Sequence, residues 1–259
     1  MKIAFFDSGI GGLSVLYQAR LMLPHGEFIF YADKDNVPYG VKSPDEVRRF
    51  VADAFDFLTA QGAGAIVVAC NTATSVAVRD MRERYKLPII GMEPAVKKAL
   101  DTDASRRVLV AATPITVRGS KMQSLLAKVD KHHLIDLLPL PKLVEFAEGL
   151  EFDSPAVREY LSDELAAYDL AQYSALVLGC THFNYFKDIL RKILPLPVRL
   201  IDGNKGTVRE LMRHLPAESA TVGEGTTTYY YSGRPVTGAA ELKRLQICRE
   251  RLAAMYEIT

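Results

Sequence analysis

Two stretches of this chain share one construction, and that construction narrows the folds open to it. Ala65 to Ala69 is an unbroken apolar run that ends at Cys70 and passes at once into Asn71-Thr72-Ala73-Thr74. Ala175 to Leu178, after Ser174, is a second such run, ending at Gly179-Cys180 and passing into Thr181-His182. A short apolar run with polar bounds is the pattern of a strand covered on both faces. After the first run, Thr74, Ala77, Val78, Met81 and Tyr85 fall on one helical face; after the second, Phe186, Ile189, Leu190 and Ile193 do. Strand then helix, repeated, implies an α/β fold with mainly parallel sheets. The spacing is far longer than a solenoid repeat, so a duplicated pair of α/β domains is expected. Each delivers a thiol to the C-terminal tip of a strand, the edge at which open parallel sheets bind ligands.

The rest of the chain fits that frame. Its 259 residues suffice for one large or two modest domains, and 49% are apolar, enough for a real core. Strands are expected at Lys2–Phe6, Phe28–Tyr31, Leu87–Gly91, Arg107–Ala112, Leu134–Leu140, Val198–Asp202 and Thr226–Tyr231. Ser43-Pro44-Asp45-Glu46 reads as an N-cap and first turn of a helix running to about Gln61. Further helices are expected at Pro94–Leu100, Val117–Val129, Lys142–Gly149, Pro155–Tyr168, Lys205–His214 and Ala239–Tyr256, with a domain boundary near 92–106. Cys248, set among Leu245, Ile247 and Leu252, reads as a packing residue.

Composition excludes several classes. Formal charge is only +1 and no basic stretch is long, so no nucleic-acid or membrane surface is expected. No run approaches a membrane span, and the N-terminal apolar run is too short for a signal peptide. Three cysteines make no disulfide framework. A cytoplasmic protein is the expectation. With neither a CxxC pair nor HExxH, no metal is expected.

The first strand breaks at Asp7-Ser8-Gly9-Ile10-Gly11-Gly12 and a helix follows from Leu13. Three readings compete there. Gly9 and Gly11 fit two positions of a dinucleotide fingerprint, with Asp33 loosely placed for a ribose, but Ser14 stands where a third glycine belongs. Asp7 could be a phosphatase-type nucleophile, yet the residue two positions on is Gly9 rather than a second carboxylate. Or Asp7 is a base or orienting group, with Ser8 and the loop N–H groups holding a carboxylate. Val37-Pro38-Tyr39-Gly40 is turn chemistry, and the Tyr39 hydroxyl could reach a ligand across the sheet edge.

Two strand-tip thiols admit three chemistries. Disulfide exchange needs sulfurs within about 2 Å, and redox pairs lie close in sequence. A metal site wants more ligands than His182 alone. The third is a pair of thiols on opposite faces of one carbon: a thiolate removes a proton, the other thiol supplies one, and the carbon inverts. At near-attack distance on each side, the sulfurs would sit about 7 Å apart. A thiol at neutral pH is mostly protonated. The helix start after each cysteine favours the thiolate, and each has an assisting partner, His182 for Cys180 and Asp7 for Cys70.

Phe6-Asp7-Ser8-Gly9-Ile10-Gly11-Gly12-Leu13, Val37-Pro38-Tyr39-Gly40, Ala69-Cys70-Asn71-Thr72-Ala73-Thr74, Glu93-Pro94 and Leu178-Gly179-Cys180-Thr181-His182 together resemble the glutamate racemases, of the aspartate/glutamate racemase family. The resemblance runs in order over nearly the whole chain. It implies a cofactor-independent enzyme that makes D-glutamate for peptidoglycan, often as a homodimer. It also implies two pseudo-symmetric α/β domains with the active site in the cleft between them, residues 1–94 plus 207–259 forming the first and 95–206 the second. Carried over residue by residue, the catalytic thiols fall on Cys70 and Cys180, facing D- and L-glutamate respectively, and the assisting groups on Asp7 and His182. Substrate-binding positions fall on Ser8, Pro38, Tyr39, Gly40, Asn71, Thr72, Thr181 and the carboxylate-binding pair Thr113 and Thr116. A family glutamate near the histidine matches Glu148 best, with Glu145 close by. The chain departs from the common pattern in a one-residue shorter Gly91–Pro94 segment, in Phe183-Asn184-Tyr185, and in Ala112. His182 speaks for glutamate over aspartate, since aspartate racemases usually carry an acid there.

Overall fold

The computed structural model describes residues 1–93, 95–101, 103, 105–216 and 223–258. Its first half holds β1 (Lys2–Asp7), α1 (Leu13–Met22), β2 (Glu27–Ala32), α2 (Pro44–Ala60), β3 (Ala63–Val68), α3 (Asn71–Arg84), β4 (Ile89–Gly91) and α4 (Val96–Leu100). There follow β5 (Arg107–Ala112), α5 (Pro114–Arg118), α6 (Ser120–Val129), β6 (Ile135–Pro139), α7 (Lys142–Glu148), α8 (Pro155–Ala166), β7 (Tyr173–Leu178), α9 (Lys187–Ile193) and β8 (Arg199–Ile201). The chain closes with α10 (Asn204–Arg213), β9 (Thr227–Tyr231), β10 (Arg234–Pro235) and α11 (Ala239–Met255).

Two sheets result, ordered β10-β9-β2-β1-β3-β4 and β6-β5-β7-β8. Every pairing is parallel except β9 with β10. The orders β2-β1-β3-β4 and β6-β5-β7-β8 are the same topology used twice. Even the irregularity repeats: the register slips between Lys2 and Ile3 in one sheet and between Arg107 and Val108 in the other. The duplicated βα unit expected from the sequence is therefore present. In each sheet the chain winds outward both ways from a central pair, β1/β3 or β5/β7, and that reversal point is where a parallel sheet opens a crevice. Asp7 and Cys70 flank one crevice, Thr113 and Cys180 the other.

Local chemistry explains the element ends. Ser43 and Glu46 form a reciprocal capping box at α2, with Glu46 N–H donating to Ser43 Oγ and Ser43 N–H donating to Glu46 Oε2. Cys70 is the N-cap of α3. Strand β9 returns to lie beside β2, while α11 packs against α1 and against the segment that follows Cys180. One buried apolar cluster runs from Phe5, Phe30 and Val67 of the first sheet to Leu109, Leu176 and Phe186 of the second. The two units thus share an inner core.

Two expectations change. The helix expected over Val117–Val129 starts earlier, at Pro114, and is broken at Gly119, whose extended backbone separates α5 from α6. After Cys180 comes a 3-10 segment, Thr181–Phe186, before α9 begins. All six of its side chains are buried, whereas a surface α-helix would turn one face to water. The expected helix start at Pro94 lies outside the described residues.

Leu176 of β7 is fully buried, and Leu21 on α1 is half exposed. Leu176→Ala should cost about 2–5 kcal/mol, and Leu21→Ala less than about 0.5 kcal/mol. Urea unfolding midpoints at constant m-value check the contrast, and equal losses would contradict the shared core.

Candidate active site

The strand tips bring seven predicted residues into one buried cluster. Asp7, at the end of β1, is fully buried. Its Oδ1 accepts from Gly9 N–H at 3.0 Å and from the Ser8 hydroxyl at 3.4 Å. Its Oδ2 accepts from the Thr181 hydroxyl of the other unit at 3.1 Å. The Cys70 thiol donates to Ser8 Oγ at 3.6 Å. A chain of donors therefore runs from the Cys70 sulfur through Ser8 to the Asp7 carboxyl.

The second thiol has a different relay. Cys180 Sγ lies 3.8 Å from His182 Nδ1, and His182 Nε2 lies 2.8 Å from Glu148 Oε1. The same carboxylate oxygen accepts from Ile10 N–H of the first unit at 2.8 Å. Glu145, by contrast, is exposed, so Glu148 is the acid beside the histidine. Each relay is thus tied by a residue of the opposite unit.

Protonation follows from burial and neighbours. Burial pushes the Asp7 carboxyl up to about 6, against the pull of the His182 charge, the Gly9 N–H and the Thr181 hydroxyl. Burial pushes the Cys70 thiol up to about 12, helped by the Asp7 charge. The Ala73 N–H does donate to Cys70 Sγ at 3.4 Å, so the helix start contributes as expected, but burial outweighs it. The resting form is the thiol. Burial pulls His182 down, yet its bonds to Cys180 and Glu148 outweigh that and hold it well above the ordinary histidine value. Burial pushes Glu148 up, but His182, the Ile10 N–H and Arg244 outweigh it and keep the carboxylate ionised. Cys180 caps no α-helix and accepts no backbone N–H through its side chain, so the expected helix-start assistance falls to Cys70 alone.

The glycine loop serves these relays. A Cβ on Gly9 would collide with Glu148 Oε1, and one on Gly11 with the Thr181 hydroxyl and the His182 ring. The loop is the seat for the other unit's side chains, filled where a pyrophosphate would lie. The dinucleotide reading fails on that ground, and Asp33 is committed elsewhere. Its carboxylate accepts from the Tyr39 hydroxyl at 2.6 Å, from Asn36 at 3.0 Å and from the Ser232 hydroxyl at 2.9 Å. The nucleophile reading of Asp7 fails too, since both its oxygens are engaged and buried. The Tyr39 hydroxyl donates its proton to Asp33. What its turn, entered from Pro38, presents to the second unit is Gly40.

A second polar cluster spans the units. The hydroxyls of Thr72, at the start of α3, and of Thr113 and Thr116, around α5, form a triangle with sides of 2.8, 3.2 and 2.9 Å. Three buried hydroxyls, bonded among the described residues only to one another, can each turn a donor toward an anion. Asn71 and Thr116 also line a cavity of about 220 Å³ between α3 and α6.

Sequence reasoning missed the support from α11. Arg244 donates to the Glu148 backbone carbonyl and lies 3.7 Å from its Oε2. Cys248 contacts the Tyr185 hydroxyl, which donates to Ile10 O at 2.9 Å. Arg251 donates to Tyr185 O at 2.9 Å and to Asp188 at 2.6 Å. Positions 244, 248 and 251 share one helical face, the signal that could have found them. The departure at Phe183-Asn184-Tyr185 is put to use: Asn184 Nδ2 donates to Thr181 O at 3.1 Å, and Tyr185 stacks on Phe152 at 4.9 Å. Among the described residues no cluster of three or more metal-ligating side chains occurs, and no helix is long and apolar enough to cross a membrane.

The chain is similar to known proteins over its whole length. The Asp/Glu/Hydantoin racemase family matches residues 14–211. A glutamate racemase of Campylobacter curvus (strain 525.92) is 53% identical over 265 aligned positions, covering 100% of both chains. The crystal structure of glutamate racemase from Campylobacter jejuni superposes with a TM-score of 0.81 at 26% identity, covering 98% of each chain. That of the Escherichia coli glutamate racemase, in complex with L-glutamate and the activator UDP-MurNAc-Ala, does so at 0.83 and 27% identity, covering 97% of this chain and 94% of the other.

The Asp7 environment has a signature in stability. A carboxyl raised from 3.8 to about 6 on folding favours the protonated native state. Its stabilising contribution is complete below the unfolded value and is lost as pH rises through about 6. Asp7→Asn cannot ionise, so the variant should gain on the parent between pH 4 and pH 7, by at most about 3 kcal/mol. Urea unfolding of both proteins across that window measures the difference, and a flat difference would contradict the burial of a strained carboxylate.

Proposed function

The chain belongs to the aspartate/glutamate racemase family and, within it, to the glutamate racemases, and from that premise we propose that it interconverts L- and D-glutamate by a two-thiol, cofactor-independent mechanism. The observation that supports the mechanism is that two strand-tip sulfurs have separate proton relays, each tied by a hydrogen bond from the opposite unit.

The steps follow from the residues. The substrate carboxylate binds at the Thr72, Thr113 and Thr116 hydroxyls, with Asn71, Ser8, Gly40 and Thr181 around it. One sulfur, as thiolate, takes the α-proton: its S–H bond forms as the Cα–H bond breaks, and the electron pair stays on the substrate as a carbanion. The other thiol delivers its proton to the opposite face, so that its S–H bond breaks as the new Cα–H bond forms. Cys70 receives the proton of D-glutamate and Cys180 that of L-glutamate. Asp7, through Ser8, readies Cys70 by accepting its proton. Its carboxyl, raised to about 6, lies near the range in which a general base works best at neutral pH. His182, held protonated by Glu148, stands beside Cys180 as charge partner and proton donor.

The domains divide as 1–94 with 207–259, and 95–206; the return of β9 to the edge of β2 supports that division. The reading carries with it a cytoplasmic homodimer that supplies D-glutamate for peptidoglycan synthesis.

Incubation with L-glutamate in heavy water, with no added cofactor, should yield deuterated D-glutamate, and aspartate in its place should not turn over comparably. Absence of both exchange and the D-enantiomer would overturn the racemase reading. Cys70→Ser should lower racemisation in both directions by about 10³-fold, since each direction needs one sulfur as base and the other as acid. Unchanged turnover would overturn the two-thiol mechanism.

A further inference from the structure

Beside the buried site lies a surface depression that carries two cations. It holds about 470 Å³ and lies where the turn after Tyr39 meets α5. Gly40 and Lys42 line one lip, and Pro114, Ile115 and Arg118 the other. The lips belong to different units. They touch at the bottom, where a Cβ on Gly40 would stand 2.7 Å from Thr113 Cβ. Thr113 is a member of the hydroxyl triangle, so this contact separates the depression from the site behind it.

No acidic side chain lines the depression. Arg118 is exposed and makes no hydrogen bond or ion pair among the described residues. Lys42 makes no ion pair there either; the acid whose charge it feels, Glu46, is already engaged by the Ser43 hydroxyl and N–H. Arg48, Arg84, Arg158 and Arg234 are exposed and paired, with Asp45, Asp56, Asp153 and Asp35, whereas Arg49, Arg199, Arg209 and Arg249 are exposed with no ion pair among the described residues, so it is the placing of Lys42 and Arg118 on one acid-free depression that sets them apart. Since the whole chain carries only +1, two uncompensated cations facing each other over one depression are a local feature and not overflow of a basic surface.

We propose that Lys42 and Arg118 form an electrostatic funnel that captures a small dicarboxylate amino acid and guides it to the seal between Gly40 and Thr113. The proposal rests on the racemase reading, which supplies a substrate of net charge −1. Concave openings of one sign focus the field and raise association rates by about 10- to 1,000-fold, an effect that salt removes. Both residues are steering residues. They stand outside the reacting groups and act before the chemical step.

Charge reversal tests this. Lys42→Glu with Arg118→Glu should lower kcat/KM for glutamate about tenfold at 10 mM salt, with kcat within about twofold of the parent. At 1 M salt, where the screening length is about 3 Å, most of that loss should vanish. Lys42→Gln with Arg118→Gln should fall between. Arg79→Glu makes one such charge change elsewhere, on α3, where its side chain is 89% exposed, and should change neither constant. A loss that persists at 1 M salt, a loss that appears in kcat, or no loss beyond that of Arg79→Glu would each overturn the funnel while leaving the racemase intact. A parent protein that neither exchanges nor racemises glutamate would instead overturn the racemase reading, and the funnel with it.

Discussion

The site depends on two carboxylates, Asp7 fully buried and Glu148 partly so, each held by the opposite half of the molecule. Asp7 grows from the first sheet but takes a hydrogen bond from Thr181. Glu148 grows from the second but takes one from Ile10. A buried carboxylate without partners is expensive, by several kcal/mol even after the protein relaxes. Pulling the halves apart would strand both. The cleft is therefore closed by the same polar bonds that arrange the thiols, and the glycines at 9 and 11 are there to let those bonds be made.

The fold is nearly symmetric and its chemistry is not. Strand order, register slip and thiol position repeat between the sheets. Yet one sulfur is backed by a hydroxyl and a carboxyl, the other by an imidazole and a carboxylate. Burial favours the neutral thiol at Cys70, while His182 keeps a positive charge beside Cys180. Under the proposed two-thiol mechanism each sulfur alternates between acid and base, so a device that runs in both directions can tolerate this. The C-terminal helix deepens the asymmetry, since Arg244, Cys248 and Arg251 brace only the Cys180 side.

Much of the site was legible from residue order. Cys70, Cys180 and His182 stand at strand tips that periodicity locates, and strand tips of parallel sheets face ligands. Asp7 and Ser8 were visible as a polar break after a buried strand, though three readings of that break survived until Glu148 and His182 were seen filling the loop. The bond from the Tyr39 hydroxyl to Asp33 was not legible, because a hydroxyl's partner is chosen by three-dimensional neighbours. The 3-10 segment after Cys180 escaped the helical pattern for a related reason. Burial on all sides overrides the helical periodicity from which helices are read.

The sequence by itself determined the class of fold, the two thiols and the duplicated unit that presents them. These are properties of local pattern: apolar runs of strand length, helical spacing, polar tips. Tertiary structure alone decided that Ser8 links Cys70 to Asp7, that each relay is tied by the opposite unit, how Glu148 is chosen over Glu145, and that Thr72 joins Thr113 and Thr116 in one cluster. Those contacts join residues far apart in the chain. They exist only because two similar sheets face each other, and no local pattern encodes the distance between them.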